Sequence, residues 1–288
     1  MQTEDRTRKI FPLSTVIVLV GAFIFIWIHV FIPENHAFQV IFCDVGQGDA
    51  ALLRFPDGKS ALVDGGPDKR ILECLGKNLP FYRRKIDLVF VSHPDADHVS
   101  GLSYVLQNYD VGRVIESGSG KETTEYKSLT GAIKVKNVPE IQALRGTEVD
   151  ISPQAKAQIL MPESVSVGAK NINNSSEVVL FSFNSSKILF TGDMEQEEAV
   201  RVAALSLKTP IDILKIPHHG SKYSLDNEFY SIFKPKNAVI SVGAKNRYGQ
   251  PHSEVLDFLN KAGIKIYRTD KEGDIKFQSD GQNLIREH

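Results

Sequence analysis

The sequence has very little cysteine and almost no net charge. Only two of its 288 residues are cysteines, and the formal net charge at pH 7 is −1. A chain this close to neutral is not a polycation, so any binding of nucleic acid must depend on a local basic surface. Cys43 lies in an apolar segment and Cys74 in a segment with helical spacing. We expect both to be small buried side chains rather than a disulfide, and the pair does not indicate a redox compartment.

Internal repeats, low-complexity tracts and linkers are also missing after residue 37. The hydrophobic fraction is 42% and the charged fraction 24%, which is ordinary for a folded protein. The length allows one large domain or two small ones. Because no linker divides the chain after residue 37, we expect a single domain over residues 38–288.

Charged residues are absent from residues 11–32. The run is long enough to span a bilayer core of roughly 30 Å, so we expect a transmembrane helix there. Arg6, Arg8 and Lys9 precede it, and the positive-inside rule then makes residues 1–10 a cytoplasmic tail. Residues 33–37 become a linker, and the domain faces outward from the cell membrane on a single span. A cleaved signal peptide would have a shorter apolar region and a small-residue cleavage site, which this sequence does not offer.

Four potential metal ligands stand within six residues, in His93-Pro94-Asp95-Ala96-Asp97-His98. Residues 86–92 are apolar and β-branched and predict a buried strand, while residues 99–106 predict a helix. The cluster therefore lies on a loop at the carboxyl end of a strand, where α/β folds usually place their chemistry. Imidazole and carboxylate groups suit Zn²⁺ or Mn²⁺, and no thiolate is present to favour zinc. An isolated His-x-Asp would indicate a solvated loop, but this density of ligands predicts a metal site.

Other polar side chains also follow apolar segments of the chain. They are Asp64, Asp193, the adjacent His218 and His219, and His252. Loops at strand ends can converge on one edge of a sheet sandwich, and these residues would then join the 93–98 loop. Such a set can hold two metal ions with one bridging carboxylate. Two ions about 3.5–4 Å apart suit hydrolysis, because they activate water and stabilise the charge that develops during the displacement.

These residues resemble the motifs of the metallo-β-lactamase superfamily, in particular the soluble hydrolase domain of ComEC-type DNA-uptake competence proteins. The family motif His-x-His-x-Asp-His is similar to residues 93–98, with Asp95 in the place of the middle histidine, as in ComEC-type domains. Further similar segments are residues 44–49, 62–66, 192–193, 173–176, 218–221 and 246–252. The resemblance covers about residues 38–280.

The resemblance implies an α/β fold, a four-layer αβ/βα metallo-β-lactamase-like sandwich, preceded here by the N-terminal transmembrane helix. It also implies up to two divalent ions, Zn²⁺ or Mn²⁺. One feature departs from the superfamily: the histidine of its third motif is absent, and Asn173 and Asn174 stand near its place. Because an amide is a poorer ligand than an imidazole, we expect one of the two metal sites to be weaker.

The resemblance further implies which residues hold the metal. The expected ligands are His93, Asp95, Asp97, His98, Asp193, His218, His219 and His252. Asp193 is the expected bridge between the two ions. His218 and His219 are adjacent and can point in different directions, so the sequence leaves open which of the two binds metal.

The remaining predicted roles concern catalysis, positioning and substrate. Asp97 and His219 are the expected catalytic residues. Asp64 and Asn174 are expected to orient metal ligands from behind. Phosphate binding is expected from Ser221, Lys222 and Arg247.

The leading expectation is a membrane-anchored, metal-dependent hydrolase that cleaves a phosphodiester, with DNA as its substrate. ComEC-type proteins carry this domain on a multi-span channel, so for this chain a channel would be a separate membrane protein. Two alternatives stay open: hydrolysis of another phosphoester, such as phosphorylcholine on cell-wall polymers, and a non-catalytic binding module on the same fold. A basic groove beside the loop cluster would favour DNA, and an aromatic-lined pocket a choline-type group. The sequence does not indicate an oligomeric state.

Overall fold

The computed structural model describes residues 12–31, 37–166, 171–205, 209–279 and 282–287. The chain divides into two compact units, residues 1–36 and residues 37–288. The first unit contains helix α1, Leu13–Phe31, whose described side chains are mostly exposed. Among the helices that the structure describes, none combines the length and the apolar character needed to cross a membrane. The two ends of the predicted span, Phe11 and Ile32, and the flanking segments 1–10 and 33–36 lie outside the described residues.

The second unit contains two large sheets. In the first sheet the strand order is β17-β16-β1-β2-β3-β5-β7-β8. Its strands are β1 Phe38–Phe42, β2 Ala51–Arg54, β3 Ser60–Val63, β5 Leu88–Val91, β7 Val114–Glu116, β8 Glu140–Gln142, β16 Ile275–Ser279 and β17 Leu284–Glu287. Strands β1 and β2 form a hairpin, β2 pairs antiparallel with β3, and β3, β5, β7 and β8 run parallel. A small parallel pair, β4 Lys85–Ile86 and β6 Asp110–Val111, lies outside this sheet.

The second sheet has the order β15-β14-β13-β12-β11-β10-β9. Its strands are β9 Glu148–Ser152, β10 Ala155–Met161, β11 Val178–Phe183, β12 Ser186–Phe190, β13 Ile213–Lys215, β14 Asn237–Ile240 and β15 Lys265–Arg268. Strands β9 to β12 are antiparallel, and β12 to β15 run parallel. In both sheets the parallel strands therefore bring their following loops to one edge.

Helices cover the outer faces of both sheets. They are α2 Ile71–Asn78, α3 Ala96–Asn108, α4 Thr124–Lys136, α5 Gln196–Ala204, α6 Asn227–Phe233 and α7 Ser253–Lys261, while the short α8 Thr269–Glu272 joins β15 to β16. One apolar core joins the first sheet to α2, α3 and α4, and another joins the second sheet to α5, α6 and α7. A third core fills the space between the sheets. The predicted four-layer αβ/βα sandwich is therefore confirmed.

Aromatic side chains join the two sheets directly. The rings of Phe90 and Phe181 lie 5.0 Å apart, and those of Phe42 and Phe190 lie 5.6 Å apart. Each of these side chains is buried, and full burial of a phenylalanine is worth about 1.5–3 kcal/mol. Because Phe90 lies in β5 and Phe190 in β12, the same contacts that close the sandwich also fix the strands that lead into the polar edge.

The two cysteines contradict the sequence prediction. Cys43 and Cys74 form a disulfide, with their Cα atoms 5.8 Å apart. The prediction of two separate buried thiols was wrong because the contact is not visible in the chain order: Cys43 follows β1, and α2 packs its buried face on the same sheet. The bridge ties the residue just before the glycine-rich turn at 44–49 to that helix.

Candidate metal centre

The 93–98 loop leads from β5 into the first turn of α3, as predicted. His93 and His98 are both buried, and their ring centroids lie 4.1 Å apart. Asp95 stands before the helix and Asp97 within its first turn. The helix therefore begins inside the motif, and this arrangement brings four polar side chains to one short stretch of backbone at the sheet edge.

Four residues from three separate parts of the chain meet at this edge, and we call them the inner cluster: Asp97, His98, Asp193 and His219. One potential ligand atom from each lies within 4.8 Å of all the others. Nε2 of His98 is 3.3 Å from Oδ1 of Asp193, and Nε2 of His219 is 3.5 Å from Oδ2 of the same carboxylate. His219 Nε2 also lies 3.3 Å from Oδ2 of Asp97.

Three more predicted ligands lie beside the inner cluster. Nε2 of His218 is 3.8 Å from Oδ2 of Asp193, and Nε2 of His93 is 3.9 Å from Oδ2 of Asp95. Asp193 thus faces His98 through one carboxylate oxygen and both His218 and His219 through the other. Such a placement would allow Asp193 to contact two ions.

Groups behind the cluster fix the orientation of two imidazoles. Nδ1 of His98 lies 2.9 Å from Oδ2 of Asp64, which also accepts a hydrogen bond from the hydroxyl of Ser92, while Oδ1 of Asp64 accepts one from the backbone N–H of Ser92. Nδ1 of His219 lies 2.9 Å from the carbonyl oxygen of Ser241. In each ring the proton is thereby held on Nδ1 and Nε2 is turned toward Asp193. Asp64 occupies the position behind a ligand that the sequence predicted for it.

The local backbone is unusual where the histidines stand. His218 and His219 have φ values of 49° and 53°, in the left-handed region that side chains other than glycine rarely adopt. Gly48 has a φ of 140° and lies against the start of α3. Any other residue here would place its Cβ 2.2 Å from the carbonyl oxygen of Asp97, which is too close. The glycine therefore allows the 44–49 turn to approach the start of α3, and the N–H of Asp49 donates to that same carbonyl at 3.2 Å.

Sequence reasoning missed two charged residues behind the cluster. Lys215, the last residue of β13, is buried and forms an ion pair with the carboxylate of buried Asp49. Its Nζ donates to the carbonyl oxygen of Gly192 at 3.1 Å. Oδ1 of Asp49 lies 3.4 Å from Nδ1 of His219. The available signals were the position of Asp49 at the end of the glycine-rich turn and of Lys215 three residues before the histidine pair.

A third missed residue faces His218. Oε1 of Glu195 lies 3.7 Å from Nδ1 of His218, and the amides of Asn171 and Asn173 both donate to the Glu195 carboxylate. Asn174 accepts a hydrogen bond from the backbone N–H of Glu195 at 3.2 Å. The asparagine loop that stands near the place of the absent third-motif histidine therefore positions a carboxylate beside the outer ligands.

The charges around each buried group decide its protonation. Burial raises the pKa of Asp193, but the imidazoles of His219 and His98 hold it well below its usual range. Burial lowers the pKa of His219, but Asp193 and Asp49 raise it to about 10. For His93, burial and the neighbouring His98 both lower the pKa, to about 4, so this imidazole is neutral at pH 7. The imidazoles of His98 and His219 keep their protons and so balance the negative charge of the carboxylates. A divalent cation bound here would displace these protons.

The donors in this region fit a metal ion. Nε2 of His93, Nε2 of His98 and Oδ1 of Asp193 are buried, and none has a hydrogen-bond partner within the described residues. A buried nitrogen or oxygen without a partner costs about 1–3 kcal/mol, and a coordinated cation would satisfy all three. Imidazole nitrogen and carboxylate oxygen are ligands of Zn²⁺ and Mn²⁺. The inner cluster, together with His93, Asp95 and His218, would hold such ions.

A second group of potential ligand atoms lies nearby but is less suited to bind a metal ion. Asp49, Asp64 and His98 also lie within 4.8 Å of one another. However, the ammonium of Lys215 is in contact with Asp49 and would repel a second cation there. We therefore interpret Asp49 and Lys215 as the layer that supports the metal ligands from behind.

The remaining predicted residues line the same edge but stand farther from the cluster. His252 precedes α7, and its Nδ1 lies 3.4 Å from the backbone N of Lys222; within the described ranges no hydrogen bond or ion pair joins it to the inner cluster. Ser221 is buried, and its hydroxyl accepts a hydrogen bond from the N–H of Tyr223. Lys222 and Arg247 are exposed beside Tyr223 and Tyr248 respectively, with the cationic group 5.7 Å and 5.1 Å from the ring centroid.

Comparison with known proteins agrees with the motifs. The sequence profile described as the metallo-beta-lactamase superfamily matches residues 43–244. ComE operon protein 3 of Bacillus subtilis is 31% identical over 258 residues, which cover 83% of this chain and 33% of that protein. Recombination protein 2 of Haemophilus influenzae is 29% identical, covering 83% of this chain and 28% of that protein. The chain thus spans about a third of the length of these relatives.

Solved structures show the same fold at low sequence identity. Igni18, a metallo hydrolase from Ignicoccus hospitalis, superposes with a TM-score of 0.55 at 16% identity, over 84% of this chain and all of that chain. Zn²⁺-bound PqqB from Methylobacterium extorquens gives a TM-score of 0.52 at 11% identity, over 80% of this chain and 97% of that chain.

Proposed function

Because this chain belongs to the metallo-β-lactamase superfamily, with relatives among competence proteins, we propose that it is a metal-dependent phosphodiesterase that cleaves DNA. The observation that carries the proposal is the inner cluster, in which buried imidazole and carboxylate atoms without partners face one carboxylate, Asp193. When bound, divalent ions activate water and stabilise charge on the phosphoryl oxygens. In the overall reaction water adds across a P–O bond, and the departing sugar oxygen takes up a proton.

The residues of the chain would divide this task. Asp64 and the carbonyl of Ser241 hold His98 and His219 in the tautomer that leaves Nε2 free to bind. Asp97 is the member of the inner cluster with the most exposed side chain, at 34%, so it is the one that an attacking water can reach and that would orient it. The other three members of the inner cluster, His98, Asp193 and His219, are buried.

The rim of the site favours a polyanion over a choline-type substrate. Lys222 and Arg247 are exposed there, and each lies beside a tyrosine ring. Cationic groups attract phosphates and repel a quaternary ammonium, while an adjacent aromatic ring offers a surface on which a base can stack. This pairing of cation and ring supports DNA rather than phosphorylcholine.

The proposal includes attachment to the outer face of the cell membrane through residues 11–32. It is supported by the charge-free run and the preceding Arg6, Arg8 and Lys9. The Cys43–Cys74 disulfide supports it independently, because disulfides persist in oxidising compartments outside the cytoplasm. A separate membrane protein would then form any channel through which a DNA strand passes.

The test uses the full-length protein, stripped of metal and reloaded with Mn²⁺ or Zn²⁺. Labelled DNA and a small choline phosphodiester are offered separately. Asp97→Ala should reduce DNA cleavage by several orders of magnitude, and Asp193→Asn should lose bound metal. Asp150→Ala, at an exposed carboxylate of β9, is the matched control and should retain full activity. Turnover of the choline ester alone, or of neither substrate by the loaded wild type, would refute the nuclease assignment.

A further inference from the structure

The segment Phe81–Lys85 forms an exposed patch on the first sheet's side of the domain. The side chains of Phe81 and Tyr82 are 77% and 50% exposed, and their rings contact each other edge to face at 5.3 Å. Arg83, Arg84 and Lys85 follow directly. Single exposed apolar residues are normal, but two adjacent aromatic rings beside three cations form an amphipathic surface.

The charges of this patch are only partly neutralised. Asp87 pairs with Lys85 at 2.8 Å and with Arg83 at 3.7 Å. Arg84 lies over the ring of Tyr109 at 5.5 Å, and this contact fixes the guanidinium without reducing its charge. Within the described ranges no carboxylate lies at ion-pair distance from Arg84 or from exposed Arg113, which follows β6. The patch therefore presents aromatic rings and uncompensated positive charge together.

The sheet topology places the patch opposite the metal centre. Strands β1, β3 and β5 point in the same direction, because β2 pairs antiparallel with both β1 and β3. The candidate ligands follow the carboxyl ends of these strands, whereas Phe81–Lys85 precede β5. A four-residue strand separates the two edges by about 13 Å of backbone. Phe38, where the domain begins, lies at the same edge as the patch.

We propose that the Phe81–Lys85 patch, with Arg113, rests on the anionic headgroups of the membrane. The inference rests on the proposed outward anchoring, because the chain enters the domain from residues 11–32 at this edge. Aromatic rings are favoured at the boundary of headgroup and acyl chain, and arginine binds phosphate with its fork of donors. Each basic residue close to an anionic surface is worth roughly a fivefold gain in binding. The contact would orient the metal centre away from the bilayer.

Nucleic acid is the other polyanion that such a patch can bind. The topology disfavours it as the occupant, since DNA held at Phe81–Lys85 would lie at the edge remote from the inner cluster. Bound there, a strand would contribute nothing to the positioning of a scissile phosphate. The membrane is favoured because Phe38, which begins the first strand after the proposed anchor, lies at this same edge.

The test uses the position of single tryptophan residues in the full-length protein reconstituted into vesicles. The sequence has one tryptophan, Trp27, which reports on the N-terminal segment. A W27F/F81W variant reports on the patch, and W27F/Y248W reports on the opposite edge. Brominated lipids quench tryptophan that reaches the membrane. We expect quenching of residue 81 in vesicles with anionic lipid, little in purely zwitterionic vesicles, and none at residue 248.

A second part of the experiment reverses the charge of two arginines of the patch. R84E/R113E in the F81W background should lose most of the quenching, whereas K134E on α4, which also removes an exposed cation, should retain it. Quenching at Trp27 without quenching at residue 81 would overturn the patch while leaving the anchor intact. Absence of quenching at both positions would overturn both. A change of residue 81 fluorescence on adding single-stranded DNA, with no response to vesicles, would make the patch a nucleic-acid surface instead.

Discussion

The Nζ atom of Lys215 lies 3.7 Å from Oδ1 of Asp193 and is paired with Asp49. Burial lowers the pKa of Lys215, but these two carboxylates raise it, so the side chain stays charged inside the protein. A permanent cation thus stands behind the proposed bridging ligand. It compensates one buried carboxylate and lies near the Asp193 oxygen that faces His98, while the oxygen that faces His218 and His219 is farther from it.

Removal of this cation alone should destabilise the protein strongly. Lys215→Met removes the ammonium that pairs with the buried Asp49 carboxylate and leaves it facing only imidazole groups such as His219, and breaking a buried ion pair typically costs about 3–5 kcal/mol. The double variant D49N/K215M removes both charges and should recover most of that loss. Urea unfolding of the metal-free single and double variants measures the coupling directly. If the double variant loses as much unfolding free energy as the two single variants together, Lys215 and Asp49 do not stabilise each other.

Asp64→Asn should weaken metal binding while leaving the fold intact. Asp64 has a φ of 58°, a conformation that asparagine also tolerates. The new amide would donate toward Nδ1 of His98, which forces the proton onto Nε2 and removes that nitrogen as a ligand. Loss of a partner behind a metal ligand typically costs about 10–100-fold in affinity. Calorimetric titration with Zn²⁺ or Mn²⁺ measures this, and D57N in the β2–β3 turn should bind as the wild type does.

The Cys43–Cys74 disulfide should contribute strongly to stability. Its cysteines are 31 residues apart, and closing a loop of this size restricts the unfolded chain by about 3–4 kcal/mol. We expect C43S/C74S to lose about that amount in urea unfolding under oxidising conditions. A reductant should lower the stability of the wild type to the same level and leave the double variant unchanged. Equal stability of the two proteins without reductant would show that the bridge does not form in solution.

Buried Glu177 should make the metal-free protein less stable at alkaline pH. Burial raises its pKa well above the ordinary value of 4.5, and Glu116 and Asp64 add to the effect. The folded state then keeps a proton that the unfolded chain releases above about pH 4.5, so stability falls as pH rises past that value. Each unit of pKa elevation is worth about 1.4 kcal/mol.

Glu177→Gln removes this proton linkage. The variant should be more stable than the wild type at about pH 8, and the two should converge at about pH 4. Chemical unfolding in the presence of a chelator at both pH values measures the difference. Glu228→Gln, at an exposed residue of α6, should show no such pH-dependent gain. A constant difference at both pH values would mean that Glu177 does not titrate as inferred.

The strand ends that lead to the site could be predicted from the sequence because they obey a local rule. Residues 86–92 and 187–190 are largely apolar runs followed within three residues by His93 and Asp193, and strands β5 and β12 form within them. The segment 110–116 contains two separate strands, since Gly112 and Arg113 separate β6 from β7. Short exposed strands such as β8 have too few apolar residues to give a periodic signal.

The supporting layer could not be predicted because its contacts join distant parts of the chain. Lys215 meets Asp49 across the interface between the two sheets, and neither residue stands in a metal-binding spacing. The same holds for the Cys43–Cys74 pair. Local spacing identifies side chains that bind one ligand together, whereas a charge pair or a disulfide depends on which helix and strand pack against each other.

Both sheets contribute to the inner cluster, and this has a consequence for folding. Asp97 and His98 come from the first sheet's side, while Asp193 and His219 come from the second. No half of the chain contains a complete set of these ligands, so metal cannot nucleate the early stages of folding as it does in a zinc finger. Metal uptake during refolding should therefore follow closure of the sandwich, and long-range pairings of this kind form slowly. The rate at which a spectroscopically visible ion binds during refolding would then report the rate of the final folding step.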